Sequence, residues 1–535
     1  MKKQIISGLL SFLLLISLLL IPQPAVRAEE SESVKNWSSM DADFDHEYLF
    51  QDFNAHSEND KDRQNGVETF DDKDIVFEDI NYEQLIHLLQ QEGNFLIQFS
   101  GSWCHNSRAM SPYINQMAHE YGIDTIYMFD FNLSNTETGE TFVRMTNGKG
   151  TPGTLYNYLY GEVISRFLTN CDDWVENPAD SESPLTYTNA EGKDVTVARL
   201  QQPFIFLYNK DNTKDYSGKD VKRDTYPIVY AYERMVDRDD QGVYVTKRDE
   251  SGEKVLDEAG NPVREYITED YEADLKKFFD FIKEQKIEFA QYTDADFIRD
   301  SYVETDEDGK TEPLFKEDEP INFDVITYRQ LKWLLEQPGD SLIFFGGSWC
   351  FNTAAVIRTI NDLAVKNNLK VYLFDMYLDG NYSVKEWGYP NSVSIRYTGS
   401  PFVNMYTDLI EQYFTNITTK NDVNDEKDYG STYELFGETY DWHPYIAYTD
   451  ESGKEVHVNR MQIPYFLAYN KDAEDEDGFP APVLGYSEEM YRLDKTAEDY
   501  IYDDANFKAY MDTCMGVFES YGKSAGEEIK GLEQD

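Results

Sequence analysis

Cys104 and Cys350 stand in the same setting 246 residues apart, each as the last residue of Gly-Ser-Trp-Cys: Phe95-Leu-Ile-Gln-Phe-Ser-Gly-Ser-Trp-Cys104-His-Asn-Ser107 and Leu342-Ile-Phe-Phe-Gly-Gly-Ser-Trp-Cys350-Phe-Asn-Thr353. An apolar run that ends in this motif and passes straight into a helical pattern puts the thiol at a helix N-terminus. Unpaired N–H groups and the helix dipole there favour a thiolate, the form that attacks disulfides. Three residues on, a dithiol centre would carry its second cysteine; this chain has Ser107 and Thr353. Each hydroxyl can donate a hydrogen bond to the sulfur, and His105 can add positive charge beside Cys104, where Phe351 follows Cys350. Cys104 is therefore the expected faster thiol. Neither site can resolve its own mixed disulfide.

The elements that must hold these residues repeat as well. After each cysteine Met110, Ile114, Met117 and Ala118 are answered by Val356, Ile360, Leu363 and Ala364 at helical spacing. Strand-like runs follow at Ile126–Asp130 and Val371–Asp375, then apolar helical stretches over 155–168 and 402–414, then hairpin signatures around Tyr187 and Tyr448. The halves realign at an offset of 261 on Arg199-Leu-Gln-Gln-Pro203 and Arg460-Met-Gln-Ile-Pro464, each leading into an apolar strand. Proline cannot donate to a central ladder, so its place at a strand mouth predicts a cis peptide bond. A further strand starts at Pro227 and Pro482, and helices near 271–282 and 506–521 close the two units. Arg199 and Arg460 are expected to make structural salt bridges near that groove.

The order strand, Trp-Cys-x-x-Ser/Thr, helix, strand, then Pro-strand, strand and helix resembles the thioredoxin superfamily, and the chain is similar to exported thioredoxin-like proteins of Gram-positive bacteria. The resemblance implies an α/β fold class with two tandem thioredoxin-like domains, each with a large insertion, at 73–293 and 319–535. It places Cys104 and Cys350 at the nucleophile position, and gives Trp103, Pro203, Trp349 and Pro464 the substrate-facing positions. The family's buried carboxylate, six residues before the nucleophile, is replaced by Gln98 and Phe344.

Lys2 and Lys3, the apolar run Ile5–Ile21 and Val26-Arg27-Ala28 read as a signal peptide over 1–28, with a signal anchor as the alternative. The expected address is secreted, free or cell-wall associated, with no membrane span after signal removal. Residues 29–72 read as a disordered acidic arm and 294–318 as an acidic linker. With 101 acidic against 48 basic residues the formal net charge is −53, which repels nucleic acid and anionic lipid. The acidic patches leave room for weak calcium association, although Glu304–Gly309 only begins like an EF-hand and Phe315 stands at its twelfth position. Seven histidines without zinc spacing, no glycine-rich phosphate loop and no Gly-x-Ser-x-Gly elbow give no metal and no cofactor. Of the remaining cysteines, Cys514 shares a helical face with Phe507, Met511 and Phe518 and reads as core, while Cys171 is a candidate distant resolving partner for Cys104. Two functions fit: thiol-disulfide exchange or isomerisation on extracellular proteins or peptides through single cysteines, and a noncatalytic extracellular binding module with aromatic clefts.

Overall fold

The computed structural model describes residues 35–59, 70–71, 73–134, 141–146, 151–175, 184–233, 235, 245–256, 260–263, 265, 268–305, 310–420, 431–450, 452–488 and 504–532. The predicted signal peptide lies outside the described residues.

Two five-stranded mixed sheets carry the architecture. The first joins β1 (Phe77–Asp79), β2 (Phe95–Phe99), β3 (Ile126–Phe129), β6 (Phe204–Tyr208) and β7 (Ile228–Glu233) in the order β1-β3-β2-β6-β7. The second joins β10 (Phe323–Val325), β11 (Ser341–Phe345), β12 (Val371–Phe374), β17 (Tyr465–Tyr469) and β18 (Val483–Ser487) in the matching order β10-β12-β11-β17-β18. In both, the cysteine strand β2 or β11 runs parallel to one neighbour and antiparallel to the Pro-led strand, with Phe99 opposite Phe204 and Phe345 opposite Tyr465. The near-continuous apolar runs of β2, β6, β11 and β17 suit strands covered on both faces, and every residue in them is buried.

Helices α2 (Tyr82–Gln90) and α7 (Tyr328–Glu336) open on capping boxes, Asn81 with Gln84 and Thr327 with Gln330. Helices α3 (His105–Tyr121) and α8 (Phe351–Asn367) start directly after the cysteines and stop at Gly122 and Asn368, both in the left-handed region that ends helices. The inserted helices, α4 (Tyr158–Glu162) and α10 (Val403–Asp408), each run on into a π turn, at Val163–Phe167 and Leu409–Tyr413. The expected hairpins form as β4 (Leu185–Thr188) with β5 (Asp194–Val197) and β15 (Tyr445–Thr449) with β16 (Glu455–Asn459). The closing helices are α5 (Thr268–Gln285) and α11 (Asp504–Ala525).

Two expectations are corrected. The described part of the acidic arm is structured: Phe44–Asn59 is a helix, α1, and Trp37, Phe44, Tyr48, Leu49 and Phe53 are buried. Trp37 N–H donates to Asp340 O at 2.9 Å, Ser38 Oγ receives Leu342 N–H at 2.7 Å, and Tyr372 OH donates to Trp37 O at 2.5 Å, which ties this stretch to the second sheet. Phe53 packs on Phe70 and Phe70 on Phe77, which ties it to the first. The acidic linker is also packed, as α6 (Asp294–Ser301) and the hairpin β8 (Val303–Thr305) and β9 (Thr311–Pro313). Phe297, Ile298, Tyr302, Leu314 and Phe315 are buried there. A few apolar residues among acids are enough when two large surfaces are available to cover them.

The halves share one core. Tyr158 stacks on Tyr389 with centroids 3.8 Å apart, and Tyr389 OH donates to Glu162 Oε1 at 2.7 Å. Among the described residues no helix is long and apolar enough to cross a membrane.

Candidate functional site

Cys104 and Cys350 are the N-cap residues of α3 and α8. Facing them, Gln202-Pro203 and Ile463-Pro464 are both cis. The Cys104 thiol donates to Gln202 O at 3.4 Å, and the Cys350 thiol to Ile463 O at 3.5 Å. Each sulfur is thus held against the carbonyl just before the proline, and an extended chain lying along that loop would pass over it.

The tryptophans of the two motifs are half-buried and anchored alike. Trp103 Nε1 donates to Asp130 Oδ2 at 2.7 Å, and Trp349 Nε1 to Asp375 Oδ2 at 2.9 Å, the two aspartates closing β3 and β12. A Cβ on Gly101 or Gly347 would collide with these same carboxylates and indoles, which is why the Gly-Ser-Trp turn needs glycine there. Asp130 also accepts from Asn132 N–H at 2.9 Å and Gln202 Nε2 at 3.2 Å. Burial raises its pKa to about 6, against the pull of Arg329 and these donors. Asp130 therefore clamps both walls of the thiol site, through Trp103 and through the residue before Pro203.

The hydroxyls of Ser107 and Thr353 are fully buried, and neither has a hydrogen-bond partner of ordinary geometry. Ser107 is placed to bond the sulfur of Cys104, through its backbone N–H and its side chain. The expected thiolate preference does not follow. Cys104 is only 6% exposed, and burial pushes its thiol up, outweighing Ser107, the Asn106 N–H and the Arg144 charge, which act the other way. Arg144, buried over the Phe142 ring, is a positive charge acting on Cys104, and the His105 ring pairs with the Asn106 side chain at 3.2 Å. Arg396 stands at the matching place in the second half and donates to Met461 O at 2.6 Å, beside Ile463-Pro464. Phe351 is 63% exposed next to Cys350.

Gln98 and Phe344, at the position of the family carboxylate, are both buried; Gln98 Nε2 donates to Ser111 Oγ at 3.1 Å. Of the arginines before the prolines, Arg460 lies 3.8 Å over the Trp442 ring and donates to His443 O, and Arg199 contacts Met145 Sδ. All four cysteines are free and buried. Burial and Glu233 hold the Cys171 thiol far up, and burial moves Cys514 to about 12. No cluster of metal-binding side chains occurs among the described residues.

No family model matches the chain, and no curated protein does. Among solved structures it is similar to the crystal structures of ERdj5 form I and form II, at 8% and 7% identity with TM-scores of 0.16 and 0.15. The alignments cover 83% and 82% of this chain and 29% of each ERdj5 chain, so the chain spans less than a third of those proteins, and scores of this size carry no argument about fold.

Proposed function

We propose that each half is a thioredoxin-like unit and that the protein, exported from the cell, exchanges disulfides with extracellular proteins or peptides through single thiols, with Cys104 as the leading site. The observation that carries this reading is the Cys104 pocket: a thiol at a helix start, on the carbonyl before a cis-proline, beside the otherwise unbonded Ser107 hydroxyl. The matched sheet order, with the cysteine strand parallel on one side and antiparallel on the other, supports the fold assignment.

In the exchange, Cys104 gives up its proton to solvent and its thiolate attacks one sulfur of a substrate disulfide. A Cys104–substrate disulfide forms as the substrate bond breaks, and the other substrate sulfur leaves as a thiolate. Ser107 donates to the attacking and later the departing sulfur. With no second local cysteine, the mixed disulfide is released when a substrate thiol attacks it, so wrong pairings are shuffled and none is gained or lost. Because burial holds the thiol up, the step is slow at neutral pH and speeds up as pH rises.

The test is capture of a mixed disulfide between the full chain and a disulfide-bonded peptide, with Cys104→Ser as control. A covalent adduct lost in Cys104→Ser is expected. No adduct up to pH 9 would refute exchange and leave the binding-module reading, which the burial of all four thiols favours.

A further inference from the structure

A small cleft of about 40 Å3 lies where the two halves meet, and its lining includes Tyr82, Glu83 and Asp130 from the first half and Tyr328, Arg329 and Asp375 from the second. These are equivalent pairs in the repeat, so the halves face each other through the same surface, as the subunits of a twofold dimer would.

From this surface Glu83 reaches the cysteine turn of the second half, and Arg329 reaches the aspartate that anchors the cysteine turn of the first. Glu83, the second residue of α2, accepts from Ser348 Oγ at 2.7 Å, and Ser348 lies in the Gly-Ser-Trp-Cys350 turn. Arg329, the second residue of α7, binds both oxygens of Asp79 at 3.0 and 3.1 Å, and its Nη1 lies 3.5 Å from Asp130 Oδ2. Asp130 is the clamp on Trp103 and Gln202.

We infer that Glu83 and Arg329 are positioning residues acting across the cleft, each steadying the cysteine site of the opposite half, Glu83 through Ser348 and Arg329 through Asp130. This deepens the thiol-exchange reading and rests on it.

The physical chain is short. As an anion Asp130 can accept from Trp103, Asn132 and Gln202 at once. Arg329 is the buried cation that keeps it ionised. Without that charge the buried carboxyl takes up a proton, one of its oxygens becomes a donor, and the bonds from Trp103, Asn132 and Gln202 lose their charge assistance and weaken. Release of Gln202 moves the carbonyl that holds the Cys104 thiol. On the other side, loss of Glu83 frees Ser348, two residues before Cys350.

The experiment measures iodoacetamide alkylation of each cysteine in the full chain from pH 6 to 10, by peptide mass analysis. In Arg329→Met, Cys104 should label about tenfold faster as its clamp opens, the equivalent of one charge-assisted hydrogen bond, while Cys350 keeps its profile. Glu83→Ala should do the reverse, and Arg329→Lys should restore Cys104. Should Arg329→Met fail to fold, Asp79→Asn with Arg329→Met removes both buried charges, and Glu83→Ala tests the other direction independently. The inference is overturned if each variant changes the thiol of its own half, if both thiols shift together, or if the core thiols Cys171 and Cys514 become labelled as well, which marks general loosening. Mixed-disulfide capture by the wild-type chain, measured separately, judges the exchange reading, so the two ideas fail by different results.

Discussion

Glu78→Gln should flatten the fall in stability between pH 5 and pH 8. Glu78 is the middle residue of β1, where acidic groups from four elements converge: Asp45 from α1, Asp294 from α6, Asp324 from β10, and Glu78 itself. Lys370 is the cation among them, 3.0 Å from Asp324 Oδ2. Burial first, and Asp324 second, raise the Glu78 carboxyl from 4.5 to about 7. Through that window the folded chain keeps a proton that the unfolded chain has released. Stability is therefore highest below the unfolded value, falls as pH climbs to about 7, and levels off above it. At 1.36 kcal/mol per pH unit the full shift is worth ~3 kcal/mol, and about 2 kcal/mol once solvent reaching the half-buried side chain is allowed for. Glu83, raised to about 7, and Asp130, raised to about 6, titrate in the same range and cancel in the difference between wild type and variant, which reads Glu78 together with its charge on Asp45 and Asp294. Urea unfolding of both proteins at pH 5 and pH 8 reads it directly. The wild type should lose about 2 kcal/mol more than Glu78→Gln on going to pH 8. Equal losses in the two proteins, or a wild type that gains stability with rising pH, would refute the reasoning.

Ser107→Ala removes the side-chain hydrogen bond available to the Cys104 thiolate, so alkylation of Cys104 at pH 8 should slow by about tenfold, and an unchanged rate would show that the hydroxyl does not serve the sulfur. Asp79→Ala leaves Arg329 buried without its closest carboxylate and should cost ~3–5 kcal/mol in urea unfolding; a loss below ~1 kcal/mol would mean the pair is dispensable. Gly347→Ala drives a methyl group into Trp349 and Asp375. It should lower the melting temperature and shift the tryptophan emission, while Gly388→Ala, in open space at a positive φ, should cost stability through backbone strain and leave the emission alone.

The parts of this protein that were legible in its sequence are those written locally. The paired Gly-Ser-Trp-Cys motifs, the cis-prolines and the hairpins each announce themselves within a dozen residues, and the repeat doubles the signal. What could not be read is whatever depends on the other half. Trp37, Phe44 and Tyr48 are scattered among acids and look like an unstructured arm until the second sheet is there to receive them; Phe297-Ile298 and Leu314-Phe315 do the same in the presumed linker. The thiol of Cys104 carries every local mark of a thiolate, yet its burial, set by the surrounding fold, moves it the other way. Arg144 was within reach, because Arg396 repeats it.

Glu83 and Arg329 carry the sharpest case of a signal present but unread. They occupy equivalent positions with opposite charges. In a dimer of identical units, a residue on the shared face must be compatible with its own copy, and a charge close to the twofold meets its like. Two halves on one chain escape that restriction, so Arg329 can meet the Asp79–Asp130 side while Glu83 takes the Ser348 hydroxyl. Here the charge reversal falls on the faces that meet, with Glu83 on Ser348 of one cysteine turn and Arg329 beside Asp130, the anchor of the other.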